Sequence, residues 1–403
     1  MNLLVSLAFR NLFRNLRRTL ITSVAVVFGV ALSIMGWGLV DGMDENFLRA
    51  ARTTSTGDIL LRPVDYPTDG MEWPLDMAAV VPPEMAAKLD AIGDWAPRTV
   101  FPARLVKGAE ATRVYGYAYD AKREDAVFPR KDWALDGAWP APGVDAIVAG
   151  ASVARLLELS VGDVVVVEAR TRAGARNALT FTVSGIVRTD NAGLDNTAVW
   201  IEDSTAERLA VLGGYRTHIA IHAQRGDPEA IAPTLDLPGW SARSLRVECA
   251  DMLALNVIRR RALLMLVFVI MGIAATGIAN TVIMSVYERV REVGTLLAMG
   301  MRKAQVRTLF LLEGAVMGLT AGVIGAVFGT VVVRYYEAHG IQLGDEVMNA
   351  SGNMAVSSYF YMFFAWPPVL IALSFGVSVA VLASIWPARY AANLHPADAV
   401  RSD

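Results

Sequence analysis

Cysteine occurs once in the 403 residues, at Cys249, so no disulfide can form within the chain. Histidine occurs four times, at His218, His222, His339 and His395, and these with Cys249 lack the close spacing of a zinc site. His218 and His222 can share one face of a strand, as a packed or a solvated pair. Lysine is equally scarce: Lys88, Lys107, Lys122, Lys131 and Lys303, none of which follows a glycine. A phosphate-binding loop needs a glycine-rich turn ending in Gly-Lys before a helix, so this chain has no such site for ATP. No Ser-His-Asp or paired-carboxylate spacing stands out. A net charge of −2 gives no basic field for nucleic acid.

Apolar sequence is plentiful. Hydrophobic residues make up 54% of the chain against 19% charged, with a mean hydropathy of +0.40. They are concentrated in runs. Leu20 to Val40, Ala262 to Met284 and Pro367 to Pro387 carry no charge, and Leu309 to Val333 carries only Glu313. Each run can cross a hydrocarbon core of about 30 Å at about 1.5 Å per residue. Four transmembrane helices are predicted. The first is read as an uncleaved anchor, because its apolar core is long and no small-x-small cleavage site follows it.

Arg10, Arg14, Arg17 and Arg18 precede the first span, so that end is expected to be cytoplasmic. Arg289, Arg291, Arg302, Lys303 and Arg307 fall between spans two and three, while Tyr335 to Trp366 has no lysine or arginine. Both agree. Arg259–Arg261, at the outer end of span two, disagree; the helix is expected to continue there as a stalk with these arginines at headgroup level. Asp41 to Ile258 is then extracytoplasmic. Its β-type runs are "DILL", "TRVYGY", "DVVVV", "TFTVSGIV", "TAVWI" and "HIAIH", and its helix-like pieces are "PPEMAAKLDAI", "ASVARLLEL" and "DSTAERLAVL". This is an α+β pattern. "DILL", "PPEMAAKLDAI" and "RTVFPARLV" make one strand–helix–strand unit, and "TAVWI", "DSTAERLAVL" and "HIAIH" another.

Between two spans lies "SVYERVREVGTLLAMGM". Val286, Val290, Val293 and Leu297 line one helix face, Glu288, Arg289, Arg291 and Glu292 occupy the rest, and Gly300 is a plausible stop. The mixed charges suit a partner's groove; the apolar stripe suits that or a headgroup surface. Gly314, Gly318, Gly322, Gly325 and Gly329 form one stripe on span three, a groove for a neighbouring helix backbone, with Gly272 and Gly277 a lesser version on span two. Glu313 is expected to be structural, within reach of Arg302 and Arg307.

The segment "YERVREVGTLLAMGMRKAQV" resembles the E-R-x-R-E-[IV]-G-x-[LM]-x-A-[LM]-G motif of the MacB/FtsX superfamily of ABC transporter permeases. "LAFRNLFRNLRRTLITSVAVVFGVAL", "VAGASVARLLELSVGDVVVV" and "WPARYAANLHPADAVR" resemble further family runs in the right order. "TGDILLRPVDYP" and the single long outer segment look most like the lipoprotein-releasing LolC/LolE branch. The resemblance implies a MacB-like, type VII ABC permease: an α-helical membrane protein with four transmembrane helices and a large α+β extracytoplasmic domain. The implied layout is an amphipathic cytoplasmic helix over 1–19, spans over 20–41, 259–285, 306–334 and 367–387, and an extracytoplasmic domain over 42–258. Within that domain, 42–109 and 190–258 would be porter-like and 110–189 an inserted sabre-like part. Residues 286–305 would be the coupling helix and loop, 335–366 a short outer loop and 388–403 a cytoplasmic tail.

By the same resemblance the chain is a transport subunit of the bacterial inner membrane, both termini cytoplasmic, without its own ATPase site. ATP and Mg would sit on a partner ABC ATPase dimer that docks on Glu288, Arg289, Arg291, Glu292, Val293 and Leu297. A second permease chain, identical or not, completes the membrane part. The implied work is mechanotransmission, with a lipoprotein as cargo and a periplasmic carrier that takes it. Arg170, Arg172 and Arg176, at the tip of the hairpin "DVVVVEARTRAGARNALTFTVSGIV", are a candidate carrier contact; a solvated basic hairpin is the plainer reading. MacB-type efflux and FtsX-like signalling are the alternatives. A membrane enzyme has no motif behind it.

Overall fold

The computed structural model describes residues 16–67, 73–189, 191–235, 237–344 and 359–394, so most of the expected 1–19 helix lies outside the described residues. The chain divides into a helical unit (1–43, 255–340, 361–403) and a sheet unit (44–254, 341–360).

Among the described residues, four helices are long and apolar enough to cross a membrane. They are α1 Leu16–Ala51, α5 Ala250–Glu288, α7 Lys303–His339 and α8 Trp366–Ala392. The shorter helices between them in sequence include α2 Pro83–Ile92, α3 Ala151–Leu156, α4 Asp203–Ala210 and α6 Val290–Ala298. The spanning helices exceed their apolar runs because the flanking sequence holds no breaker. α5 has 39 residues, or about 58 Å of helix, nearly twice a hydrocarbon core. Polar side chains inside the spans bond within the unit: Ser33 Oγ donates to the Gly29 carbonyl at 2.6 Å, and the buried Thr22 and Thr281 hydroxyls meet at 2.7 Å. Aromatic residues mark the edges of the apolar layer. On α8, Trp366 and Trp386 are each 64% exposed and stand 20 residues apart, about 30 Å along the helix.

The glycine stripe is shared between two neighbours within the chain. A Cβ at Gly318 would run into Ala380 and one at Gly314 into Ser384, while at Gly322 it would lie 2.8 Å from Leu373 Cδ1, all on α8. At Gly325 it would lie 2.5 Å from the Val27 carbonyl oxygen, and at Gly329 3.0 Å from that of Ala31, both on α1. Gly376 of α8 completes the set against Val30 at 2.8 Å. Helix α5 joins through Gly29 of α1, where a Cβ would sit 2.5 Å from Met271 Sδ. Gly272 meets nothing within 4 Å, so it plays no part in packing here, and Gly277 has only Thr22 at 3.5 Å.

The sheet unit holds a ten-stranded sheet. Its strands are β1 Ile59–Pro63, β2 Gly93–Lys107, β3 Glu110–Tyr119, β4 Ala134–Gly137 and β5 Ala146–Gly150, then β6 Val164–Arg170, β7 Arg176–Arg188, β8 Ala198–Glu202, β9 His218–Ala223 and β10 Trp240–Ser244. The order is β10-β1-β9-β2-β3-β8-β5-β7-β4, with β6 pairing β2 and β7. β5 and β8 are buried throughout and read as unbroken runs, whereas β7 alternates apolar and exposed. β3–β8 and β5–β7 are parallel pairs and the rest antiparallel.

The expected cut between 109 and 110 falls in the turn of the β2–β3 hairpin, which pairs from Arg98↔Tyr119 to Lys107↔Glu110. The strands of 110–189 share the ten-stranded sheet with the rest of the unit. The reason is the 15-residue β2, whose first part pairs β9 and whose second part pairs β3 and β6. The expected strand–helix–strand units also differ in detail, since β9 lies between β1 and β2, and β2 and β3 lie between β9 and β8. The buried apolar residues gather around Phe101 and Phe181, around Trp200 and Phe128, around Leu61 and Leu89, and around Leu48 and Leu245.

Helix α1 ends in a wide turn, Arg52–Thr56, stopped by Gly57 at φ +67, where a side chain would strike the Ile221 carbonyl. Arg98, 1% exposed, caps this end: Nη1 donates to the Thr54 carbonyl at 2.7 Å, Nε to Glu124 at 2.8 Å, and the guanidinium stacks 3.5 Å from the Phe128 ring. A cation at a helix C-terminus meets the negative end of the helix dipole. Asn191 Nδ2 adds a bond to Thr54 Oγ1 at 2.9 Å. His218 lies buried beside this network; burial, then the Arg98 and Arg62 charges, hold its pKa well below the ordinary 6.5. His222 instead is exposed and pairs with Asp58 at 2.9 Å.

Two outcomes are expected. Gly318→Leu and Gly325→Leu each lower stability by about 3 kcal/mol, while Gly272→Ala is neutral or slightly stabilising, as read by thermal unfolding of the purified chain. The unfolded chain takes a proton on His218 near its ordinary pKa that the folded chain refuses, so stability falls as pH drops below that value. His218→Gln should therefore flatten the acid-side loss; an unchanged slope of unfolding temperature against pH would contradict it.

Candidate functional site

Helix α5 ends at Glu288 and α6 starts at Val290, with Arg289 between them at φ −124 and ψ 17. The expected single stripe is thus carried on two helices, Val286 on α5 and Val290, Val293 and Leu297 on α6. Val286 and Val293 are buried, and Val290 and Leu297 half-buried. Glu292 lies in the first turn of α6, where the helix dipole favours a carboxylate. The far end closes in a Schellman arrangement: Met301 N–H bonds the Leu296 carbonyl at 3.0 Å, and Gly300 N–H the Leu297 carbonyl at 3.1 Å. Gly300 has φ +96, as that turn requires. Helix α7 then starts after Arg302, whose N–H bonds Gln305 Oε1 at 2.9 Å.

Arg289 holds the bend. Its Nε donates to Glu292 at 3.0 Å and its Nη1 to Glu313 at 2.8 Å. Glu313, only 5% exposed, sits on α7. The expected partners Arg302 and Arg307 are not those it uses. Arg307 lies six residues earlier on the same helix, turned roughly 120° away at about 100° per residue. Sequence reasoning missed this pair because 24 positions and two helix boundaries separate the residues. It also missed Tyr287 and Tyr390, whose rings meet edge-on at 5.7 Å beside the same bend. Glu288, Arg291, Glu292, Thr295 and Met299 face outward.

The arrangement has no chemistry of its own. It is a nine-residue amphipathic helix tied at both ends to spanning helices, with one guanidinium setting its angle. Among the described residues no group of three or more His, Cys, Asp or Glu is placed to hold a metal ion.

The three hairpin arginines are not brought together. β6 and β7 pair up to Arg170↔Arg176, so these two exposed side chains stand directly opposite each other. The tip closes with Thr171 N–H to the Ala175 carbonyl at 2.8 Å. Arg172 turns back, its guanidinium 3.9 Å from the Tyr215 ring.

Comparison with known proteins adds a finding independent of this geometry. The MacB-like periplasmic core domain family matches residues 19–235, and the FtsX-like permease C-terminal family matches residues 264–396. An uncharacterized ABC transporter permease of Methanocaldococcus jannaschii is 24% identical over 61% of this chain and 59% of its own length. The ABC transporter permease YtrF of Bacillus subtilis is 26% identical over 51% of this chain and 49% of its own. The macrolide export ATP-binding/permease protein MacB of Chlorobaculum tepidum is 34% identical over 31% of this chain and 16% of its own. In each case the chain spans less than two thirds of the relative.

The Arg289–Glu313 pair predicts an asymmetry. Arg289→Ala removes a charge partner from a buried carboxylate and should lower stability by about 3 kcal/mol. Glu313→Gln should cost less, because Arg289 keeps Glu292. The double variant Arg289→Ala/Glu313→Leu should recover most of the loss. Thermal unfolding of the three purified variants checks this; equal single losses with no recovery would contradict the pairing.

Proposed function

Since the chain belongs to the MacB/FtsX-type family of ABC transporter permeases, we infer that it converts ATP hydrolysis on a separate subunit into work outside the cytoplasm. The observation that carries this reading is α6 with its outward charges, held at a fixed angle by Arg289. An ATPase that grips Glu288, Arg291 and Glu292 and the adjoining half-buried Leu297, on a helix seated by the buried Val293, would move α5 and α7 together, because Arg289 and Glu313 join them. Such docking requires α6 on the cytoplasmic side of the inner membrane, with both termini there and the sheet unit in the periplasm. A second permease chain, identical or related, would accompany an ATPase dimer that carries ATP and Mg.

Among the described span residues, Glu313 is already paired, so a polar solute would find few partners on a route between the helices. Work on a substrate already at the outer face fits better. The finer reading is extraction of an acylated protein and transfer to a periplasmic carrier, which must overcome about 0.8 kcal/mol per buried CH₂. Arg170 and Arg176, like charges set opposite each other at an exposed tip, would suit an acidic carrier surface. A second reading, efflux of small molecules or peptides, draws on relatives whose names specify macrolide export. FtsX-like signalling would use the same mechanical path.

Two measurements test this. Glu292→Lys and Val293→Asp should abolish permease-stimulated ATP hydrolysis by the purified complex while leaving the sheet unit folded; unchanged stimulation in both would remove the docking role. Reconstituted complex should release acylated protein from liposomes only with both ATP and carrier. Failure there, with ATPase coupling intact, would turn the choice to efflux.

A further inference from the structure

Arg259–Arg261 is the basic cluster to which the coupling scheme gives no role. Contacts inside the helical unit fix its depth. Leu263 packs on Gly36 of α1, and the Gly38 carbonyl accepts the Phe363 N–H at 3.0 Å, three residues before the exposed Trp366. Asp41, about one turn further along α1, pairs with Arg260. The arginines therefore stand at the outer edge of the apolar layer, within about a turn of the aromatic belt.

The three guanidinium groups differ in their surroundings. Arg259 donates to Asn256 Oδ1 at 2.7 Å and Arg260 to Asp41. Arg261 is exposed and makes no hydrogen bond or ion pair with any described residue. The face of α5 that carries it is apolar on either side, Val257 and Ile258 outward and Met265 and Phe268 inward, all more than half exposed. It is a single cation set in an exposed apolar stripe at headgroup depth. It also runs against the charge distribution of the rest of the chain, since 335–366 contains no lysine or arginine.

We propose that Arg261, with Arg259 and Arg260 beside it, binds the headgroup phosphate of an anionic phospholipid in the outer leaflet. The planar guanidinium takes two phosphate oxygens at once. The acyl chains lie along Met265 and Phe268, so head and tail are both matched by one helix face. Asp41 answers only part of the cationic charge, which leaves the site net positive and selects an anionic over a zwitterionic headgroup. The bound lipid then fixes the rotation of α5 where the helix leaves the apolar layer. The site is independent of what the transporter carries.

The test uses the full chain in nanodiscs of phosphatidylcholine into which phosphatidylglycerol is titrated. Native mass spectrometry reads the lipid retained, and thermal unfolding reads the stabilisation. Apparent affinity for phosphatidylglycerol should fall about fivefold in Arg261→Gln and further in Arg259→Gln/Arg261→Gln, with Arg261→Lys in between. Arg225→Gln, an exposed arginine of the sheet unit, should leave binding unchanged. Wild-type retention in Arg261→Gln, or equal retention of the two lipids, would overturn the proposal. So would the same stabilisation by inorganic phosphate in place of lipid, which would make this an anion site without a lipid.

Discussion

An ionised carboxylate cannot remain in the apolar layer unless something cancels it, and this constraint on Glu313 organises the end of the helical unit that carries α6. The Arg289 guanidinium donates to it at 2.8 Å. Because Arg289 also stands where α5 stops, its bond to Glu313 holds the bend there. The bend releases α6 as a short helix of its own. Glu292 then takes the remaining part of the guanidinium fork. Removing Arg289 would take a charge partner from the buried Glu313, which costs more than the pair gains over an apolar substitute. The pair is better understood as a device that specifies an angle than as a source of stability.

Within the sheet unit a second buried cation has a comparable role. Arg98 sits on the 15-residue β2, at the position where that strand passes from pairing β9 to pairing β3. From there it caps the last turn of α1 through the Thr54 carbonyl and holds Glu124 on the other side. Burial, then the Arg98 and Arg62 charges, disfavour the protonated form of His218. Leu48, Ala51, Leu245 and Cys249 close the apolar side of the same region, and burial with the neighbouring Glu248 charge pushes the Cys249 thiol up to about 12. That thiol is a packing group, not a nucleophile.

Local patterns were legible in the sequence and long-range pairing was not. The four spans, six strands and three short helices each announce themselves through periodicity or unbroken apolar runs, and their observed bounds differ mainly because helices run past the apolar core. "AIVAG" over 146–150 escaped notice as a strand because it is short and apolar on both faces, so it has no alternation to detect. Sheet order was not accessible, since β2 pairs partners from both sides of the supposed boundary and nothing in its own residues reveals that. The glycine stripe was visible on α7, but its division between α8 and α1 depends on where two other helices cross it. The bend was half visible. Gly300 and the mixed charges marked α6, whereas the bonding of Arg289 to Glu313 arises only once α5 and α7 lie side by side.

The charges in this chain sort by depth, and the sorting distinguishes structural from interaction roles. Arg98 is buried and satisfied by a carboxylate, a carbonyl and a ring; Arg289 is largely buried and satisfied by two carboxylates. Arg170, Arg176 and Arg261 are exposed and stand next to like charge or apolar surface. Placing Arg170 directly across from Arg176 works against the hairpin, and placing Arg261 within an exposed apolar stripe works against the helix face. Neither arrangement improves folding of the isolated chain. In the proposed roles an anion from outside would offset the cost in both cases, its form set by the surroundings: a protein carboxylate at an open hairpin tip, a phosphate on acyl chains beside Met265 and Phe268.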